Sequence, residues 1–482
     1  MKENNEQIDI LLTILPPWGT AMPPLGLAYL ASYLKNKGFV VEVLDLNIKL
    51  YHAVDHYYQT LWHSMENFKF WTEEDCLHAF RDRFANLIED YIHYFNHSRA
   101  KYIGFSVNAA NQLLTIFFVK EMRRRGCSKR IIFGGPSCFQ DFRNPVFHET
   151  ADIFIVGEGE EALAEILCRM NQGERIENLP GVIVYKEESF RNFVKREVVK
   201  SLAEIGFPSF EEFDLSEYTE RMLPLMLGRG CICKCTFCND HYFLGSYRKK
   251  KAEDILKAVK SYVEKYNINR FFFSDLLINA DINELQKLCD LIIADNLNIH
   301  WEGQALIRKE MKRSLLDKMK KAGCYSIAYG VESFSDKILN KMRKTFTGGE
   351  IDNVLKATHE AGIFTKIGII IGFPGETEED FRLTLAGVER NKANIDMISN
   401  IAPCLINEHS DLKDNSELYE ICFSESLDRY FDWSDKSGNT YRFRKERVKE
   451  ALVFFDKINL KKSLVNIYDD AFEKKRKEIL PG

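Results

Sequence analysis

Four cysteines fall within eight positions of the stretch GRGCICKCTFCND, residues 228–240: Cys231, Cys233, Cys235 and Cys238. A thiolate is both a nucleophile and a soft metal ligand, so this density admits three chemistries. Cys231, Cys235 and Cys238 suit a 4Fe–4S cluster held by three thiolates, whose fourth iron is then open to a non-protein ligand. Four cysteines could instead enclose one zinc ion. Structural zinc sites usually combine two separated ligand pairs, however, and no second pair is present. A redox Cys-x-x-Cys made of Cys235 and Cys238 is the third chemistry, and it leaves Cys231 unexplained.

Whatever the loop holds, strands must position it. LPLML (223–227) runs directly into it and opens a series with RFFFSD (270–275), IHWEG (299–303), YSIAYGVES (325–333), KIGIIIGFPG (366–375) and MISNIAP (397–403). Helical segments separate these six strands, which predicts a partial (β/α)6 TIM-like barrel over 223–404. The cysteines then sit at the carboxyl end of the first strand, the face where such barrels form active sites. Residues 405–482 are charged and read as a small helical C-terminal region, in which Trp433, Asn439 and Arg444 serve either the barrel mouth or ordinary packing.

The N-terminal part, 1–190, alternates in the same way. IDILLTI (8–14), FVVEVLDL (39–46), YIGFSV (102–107), RIIFGG (130–135) and IFIVGEG (153–159) predict a doubly wound parallel α/β sheet of the Rossmann or flavodoxin kind. Ligands of such sheets lie beyond the carboxyl ends of the strands. Three special loops fall there: Ser106-Val107-Asn108, Gly134-Gly135-Pro136 and Gly157-Glu158-Gly159-Glu160. A helical insertion at 50–98 holds six of the eleven histidines (His52, His56, His63, His78, His93 and His97) and reads as an amphipathic cover for the sheet, with the wall of a ligand or substrate pocket as the alternative. Residues 191–222 read as a linker.

Composition sets the outer bounds. A chain of 482 residues, 45% hydrophobic and 28% charged, is an ordinary globular protein of two or three domains. The net charge of -5 gives no general reason to expect nucleic acid as partner. No apolar run approaches the roughly 20 residues that span a bilayer. Twelve cysteines in a large chain whose start lacks a signal-peptide pattern imply reduced thiols and a cytoplasmic setting.

Cys231, Cys235 and Cys238, with the aromatic Phe237 before the last of them, resemble the three-cysteine motif of radical S-adenosylmethionine enzymes. The resemblance extends over roughly 220–430. It implies that the open iron binds the amino and carboxylate groups of S-adenosylmethionine, and that reductive cleavage yields a 5′-deoxyadenosyl radical. It implies further that Asp275 binds the methionine amino group, although the family's common Gly-Gly-Glu is absent here. Arg308 would meet the methionine carboxylate, with Gln304 nearby, and Glu332 would bind ribose or the amino group. GIIIGFPGE resembles the family's adenine-contacting strand, centred on Ile370.

PPLGLAYLASYLKNKGF, FGGP and VGEGEEAL together resemble the cobalamin-binding domain that precedes many enzymes of this family. The special loops, with Ser106, Asn108, Gly134, Gly135, Pro136, Gly157, Glu158, Gly159 and Glu160, would then contact cobalamin. The family's Asp-x-His-x-x-Gly motif is missing, and PPWGTAMPPLG contains no histidine, which implies cobalamin without a lower histidine ligand. The resemblance as a whole implies a cobalamin-dependent methyltransferase acting on an unactivated carbon of a small molecule or peptide. Its electrons would come from a flavodoxin or ferredoxin. Rearrangement, cyclisation or oxidation with the same cofactors is the alternative activity, and a metal-stabilised scaffold protein is the alternative outside enzymes.

Overall fold

Seven residues that are almost all apolar and β-prone, Ile8–Ile14, form β1 at the centre of an α/β sheet. The computed structural model describes residues 7–62, 67–140, 149–185, 193–423 and 432–465. In the first unit, which runs to Arg221, β1 is joined by β2 (Val41–Asp45), β3 (Ala100–Ser106), β4 (Arg130–Gly134), β5 (Ile153–Ile155) and β6 (Val182–Val184). The order is β2-β1-β3-β4-β5-β6. The first five strands are parallel, in the flavodoxin-like arrangement, and β6 adds an antiparallel edge that the sequence patterning misses.

The insertion is a cover, as its amphipathicity predicts. Trp62, Phe70, Trp71 and Phe80 are buried in the same core as Ile103, Phe105 and Phe118 of the sheet layer. Trp62 and Trp71 meet edge to face with centroids 5.2 Å apart. Of its histidines, His93 and His97 stack on the helix Ala85–His97, and His63 lies outside the described residues. The stretch read as a linker folds back on this unit: the Tyr218 hydroxyl donates to Asp45 at 2.7 Å, and Lys49 pairs with Glu217 at 2.6 Å.

The second unit, Met222–Ile467, begins with β7 (Leu223–Leu225) and a two-residue antiparallel pair, β8 (Gly228–Arg229) with β9 (Arg248–Lys249). There follow β10 (Arg270–Phe273), β11 (His300–Ala305), β12 (Cys324–Glu332), β13 (Phe364–Ile371) and β14 (Met397–Pro403). A hairpin of β15 (Ile421–Phe423) and β16 (Trp433–Asp435) precedes the helix Tyr441–Lys457 and β17 (Lys462–Val465). The parallel sheet runs β7-β10-β11-β12-β13-β14-β17, an open barrel with β17 as a seventh strand beyond the six expected.

Alternation along the strands separates two faces. Ile327, Tyr329 and Val331 of β12 are buried, as are Ile367, Ile369 and Ile371 of β13. Ala328, Gly330 and Glu332, with Lys366, Gly368 and Ile370, occupy the opposite, half-open inner face. Gly330 pairs with Gly368, so two side chains are missing from the middle of that face, and the Glu332 carboxylate lies over Gly330, 2.7 Å from where a Cβ would stand. Among the described residues no helix is long and apolar enough to cross a membrane.

Candidate cofactor sites

The cysteine loop is built from its base upward. Beyond β7 the chain turns over a buried carboxylate: Asp275, two residues past β10, accepts from the Leu227 amide at 2.8 Å and the Gly228 amide at 2.7 Å. Burial pushes this carboxyl up to about 7, and the two amides offset only part of that shift. β8 and β9 then clamp the loop, and Cys231 bridges to Ser246. Gly230 lies at φ +82°, and a Cβ there would stand 2.6 Å from the Ser246 carbonyl oxygen, so the residue before Cys231 has no room for a side chain.

The far side of the loop is held by backbone contacts. The Thr236 amide donates to Met342 O at 3.2 Å, and the Leu412 amide donates to Thr236 O at 2.9 Å. Asn407 Nδ2 reaches Phe237 O at 3.4 Å, and Asn239 Nδ2 reaches Glu408 O at 3.1 Å. The segment after β14 is therefore part of the cysteine loop's support.

The four thiols differ in character. Cys233 shares hydrogen bonds with Cys231 and Cys235 and is itself pushed up by them. That bond lowers Cys231 to about 7, and it lowers Cys235 as well, with Lys344 contributing in both cases. Burial, with Asp240 alongside, pushes Cys238 up. Among the described residues no three His, Cys, Asp or Glu side chains converge on a single-ion position. A cubane takes each thiolate on a different iron, so its ligands need not meet at one point.

The other expected residues divide into two groups. Phe237 and Ile370 are brought together, packing against one apolar cluster that includes Met342, Phe373, Cys404 and Trp433. Glu332 ends β12 in the left-handed region, φ +67°, where a register shift interrupts the pairing with β13. Its carboxylate lies 3.1 Å from the ammonium of Lys344, a residue the sequence reading overlooked. Gln304 lies on the same face, exposed, beside Ala328. Arg308 and Asp275 are already engaged: Arg308 Nη1 donates to the carbonyls of Asn279 at 2.8 Å and Ala280 at 3.1 Å.

Trp433, Asn439 and Arg444 form a packed brace. The Arg444 guanidinium lies 3.6 Å from the Trp433 ring centroid and donates to the Asn439 and Trp433 carbonyls. Asn439 Nδ2 donates to Gly372 O at 2.9 Å, which ties the brace to the turn after β13.

In the first unit all three special loops lie at the carboxyl ends of β3, β4 and β5, with Ser106 and Gly134 the last residues of their strands. Gly135 is at φ +97°, and a Cβ there would meet Val107 O at 2.7 Å, so two of the loops touch backbone to backbone. Asn108 Oδ1 accepts from the Ala110 and Asn111 amides. Asn111, buried and absent from the expected set, joins the ends of β1 and β3 by donating to Leu15 O at 3.1 Å and Ser106 O at 3.2 Å. Glu158 accepts from the Val199 amide at 2.7 Å, Gly157 is at φ +116°, and Gly159 opens the helix Gly159–Asn171 with Glu160 buried in its first turn. Ser106, Gly134 and Pro136 complete the edge, half-buried or exposed.

Residues 225–386 match the model of the radical SAM superfamily, a span that includes the cysteine loop and the strands β10 to β13. The second unit carries a radical S-adenosylmethionine domain. Over 387 residues the chain is 24% identical to an uncharacterized methyltransferase of Pyrococcus horikoshii, covering 78% of this chain and 76% of that protein. The radical S-adenosylmethionine methyltransferase TsrM of Kitasatospora setae, solved with tryptophan substrate and an S-adenosylmethionine analogue, matches with a TM-score of 0.68 at 15% identity, over 92% of this chain and 83% of that one. The cobalamin-dependent S-adenosylmethionine radical enzyme OxsB, solved with aqua-cobalamin, matches at 0.67 and 18% identity, over 94% and 67%. The radical S-adenosylmethionine domain and the sheet before it thus share the folds of these two enzymes.

Proposed function

We propose that the chain is a cobalamin-dependent radical S-adenosylmethionine methyltransferase acting on an unactivated carbon of a small molecule or peptide. One combination carries the reading: a radical S-adenosylmethionine domain follows, in one chain, a flavodoxin-order sheet with glycine loops at its carboxyl edge. The matches to TsrM and OxsB cover both halves and support it.

Cys231, Cys235 and Cys238 would hold the 4Fe–4S cluster, with Cys233 a non-ligand that hydrogen-bonds two of them. The donor set fits: three soft thiols on one clamped loop, two of them already biased toward thiolate. Glu332 and Gln304 line the half-open inner face where S-adenosylmethionine would lie. Phe237 and Ile370 offer it an apolar wall. Arg308 could turn part of its guanidinium to a carboxylate, whereas Asp275 acts on the cofactor only through the loop it supports. In the first unit the loops at Ser106–Asn108, Gly134–Pro136 and Gly157–Glu160 offer backbone amides and small residues to cobalamin's polar edge. The loop after β1, PPWGTAMPPLG, would offer cobalamin no histidine.

When bound, these groups supply one-electron cleavage of S-adenosylmethionine and a transferable methyl group. Electrons would come from a flavodoxin or ferredoxin, in a reducing compartment such as the cytoplasm. The test is product mass after anaerobic turnover with methyl-labelled S-adenosylmethionine. A gain of one labelled methylene unit is expected. A product of changed connectivity but unchanged carbon count would favour rearrangement, cyclisation or oxidation instead.

A further inference from the structure

Lys344 is the least expected residue of the cysteine loop's surroundings. Its side chain is only 5% exposed, and its ammonium bonds to Glu332 at 3.1 Å and to the Gly330 carbonyl at 3.2 Å. It also lies 5.4 Å from the centroid of Phe237, the aromatic residue between Cys235 and Cys238. Burying an ammonium is costly, and replacing a buried ion pair by apolar groups is often neutral or stabilising. Stability alone therefore does not account for a lysine here.

The backbone on both sides is arranged to put the pair in place. Glu332 at φ +67° is left-handed without being glycine where the pairing of β12 with β13 shifts register, and Arg343 at φ +57° is the left-handed residue that closes the helix Asp336–Lys341 and turns the chain into Lys344. The Lys344 amide is fixed to Leu339 O at 2.9 Å, and Arg343 pairs with Asp411 at 3.0 Å. The Glu332 carboxylate is the ammonium's paired anion, and the contact with Phe237 sets that pair beside the cysteine loop.

We infer that Lys344 is a built-in countercharge for the cluster held by Cys231, Cys235 and Cys238, raising its reduction potential, and that Glu332 moderates this effect. The inference rests on the ligand assignment proposed above. Reduction moves one electron from the reductant to the cluster and changes no bond, so the cluster becomes more negative by one charge. A fixed cation in a desolvated setting stabilises the more negative state, and a fixed anion opposes it. Lys344 is thus a tuning residue, acting on the metal centre through space without ligating it.

The test is the midpoint potential of the cluster, read by spin resonance during anaerobic dithionite titration of the reconstituted full chain without S-adenosylmethionine. K344Q should shift the midpoint to more negative values, K344R should stay near the parent, and E332Q should shift it the other way. Opposite shifts for K344Q and E332Q support the inference; unchanged midpoints, or shifts in the same direction, overturn it. If K344Q takes up no iron, E332Q decides: a more positive midpoint supports the countercharge and an unmoved or more negative one refutes it. A parent chain that assembles no iron–sulfur cluster refutes the ligand assignment itself, a distinct result.

Discussion

At Asp275 a carboxyl sits where solvent cannot reach it, with each oxygen accepting one backbone amide of the turn that leads into the cysteines. An asparagine in its place can accept through one oxygen only, which orphans a buried amide at a cost of about 1–3 kcal/mol. D275N is expected to lower unfolding stability by that amount and to reduce iron retention on desalting. The pH dependence has a definite sign. A carboxyl raised to about 7 in the folded protein contributes stability that is complete below the ordinary carboxylate range and is lost as pH rises through 7. The stability advantage of the parent over D275N should therefore shrink between pH 5 and 8, as measured by denaturant unfolding at each pH. Nothing local in RFFFSD distinguishes this structural role from a ligand-binding one, because the partners are 47 and 48 residues away. The cysteine motif was legible for the opposite reason: its spacing lies within one loop. Lys344 and Asn111 were missed because each works through partners brought near by the fold.

At the scale of elements, six strands of the barrel and five of the first sheet were legible as apolar runs bounded by glycine and proline. β17 was not. KSLV is four residues long and begins with lysine, and it becomes a strand only because β14 offers an edge. The region after 405 was expected to be helical, and its helix Tyr441–Lys457 braces the GFPGE turn after β13. Arg447, 6% exposed, meets Glu376, 1% exposed, at 3.1 Å, and Glu376 in turn accepts from the Gly372 amide at 2.8 Å. Removing one partner of such a pair strands the other charge, so R447M should destabilise the protein by about 3–5 kcal/mol. The double variant R447M with E376Q should recover much of that loss, and thermal unfolding of the three proteins checks it. Equal cost in the single and double variants would mean that the pair is not the brace.

At the scale of the molecule, two units of different architecture each carry their special loops at the carboxyl ends of parallel strands, the edge where ligands of such sheets bind. The proposed function makes both edges cofactor sites, so the deciding measurement is elemental analysis for iron and cobalt of the anaerobically reconstituted full chain after gel filtration. Iron and cobalt should both elute with the chain in stoichiometric amounts. C231A, C235A and C238A should each lose iron and keep cobalt, and C233A should keep both. Iron without cobalt would contradict the cobalamin-dependent reading, and iron lost on changing Cys233 would contradict the ligand assignment.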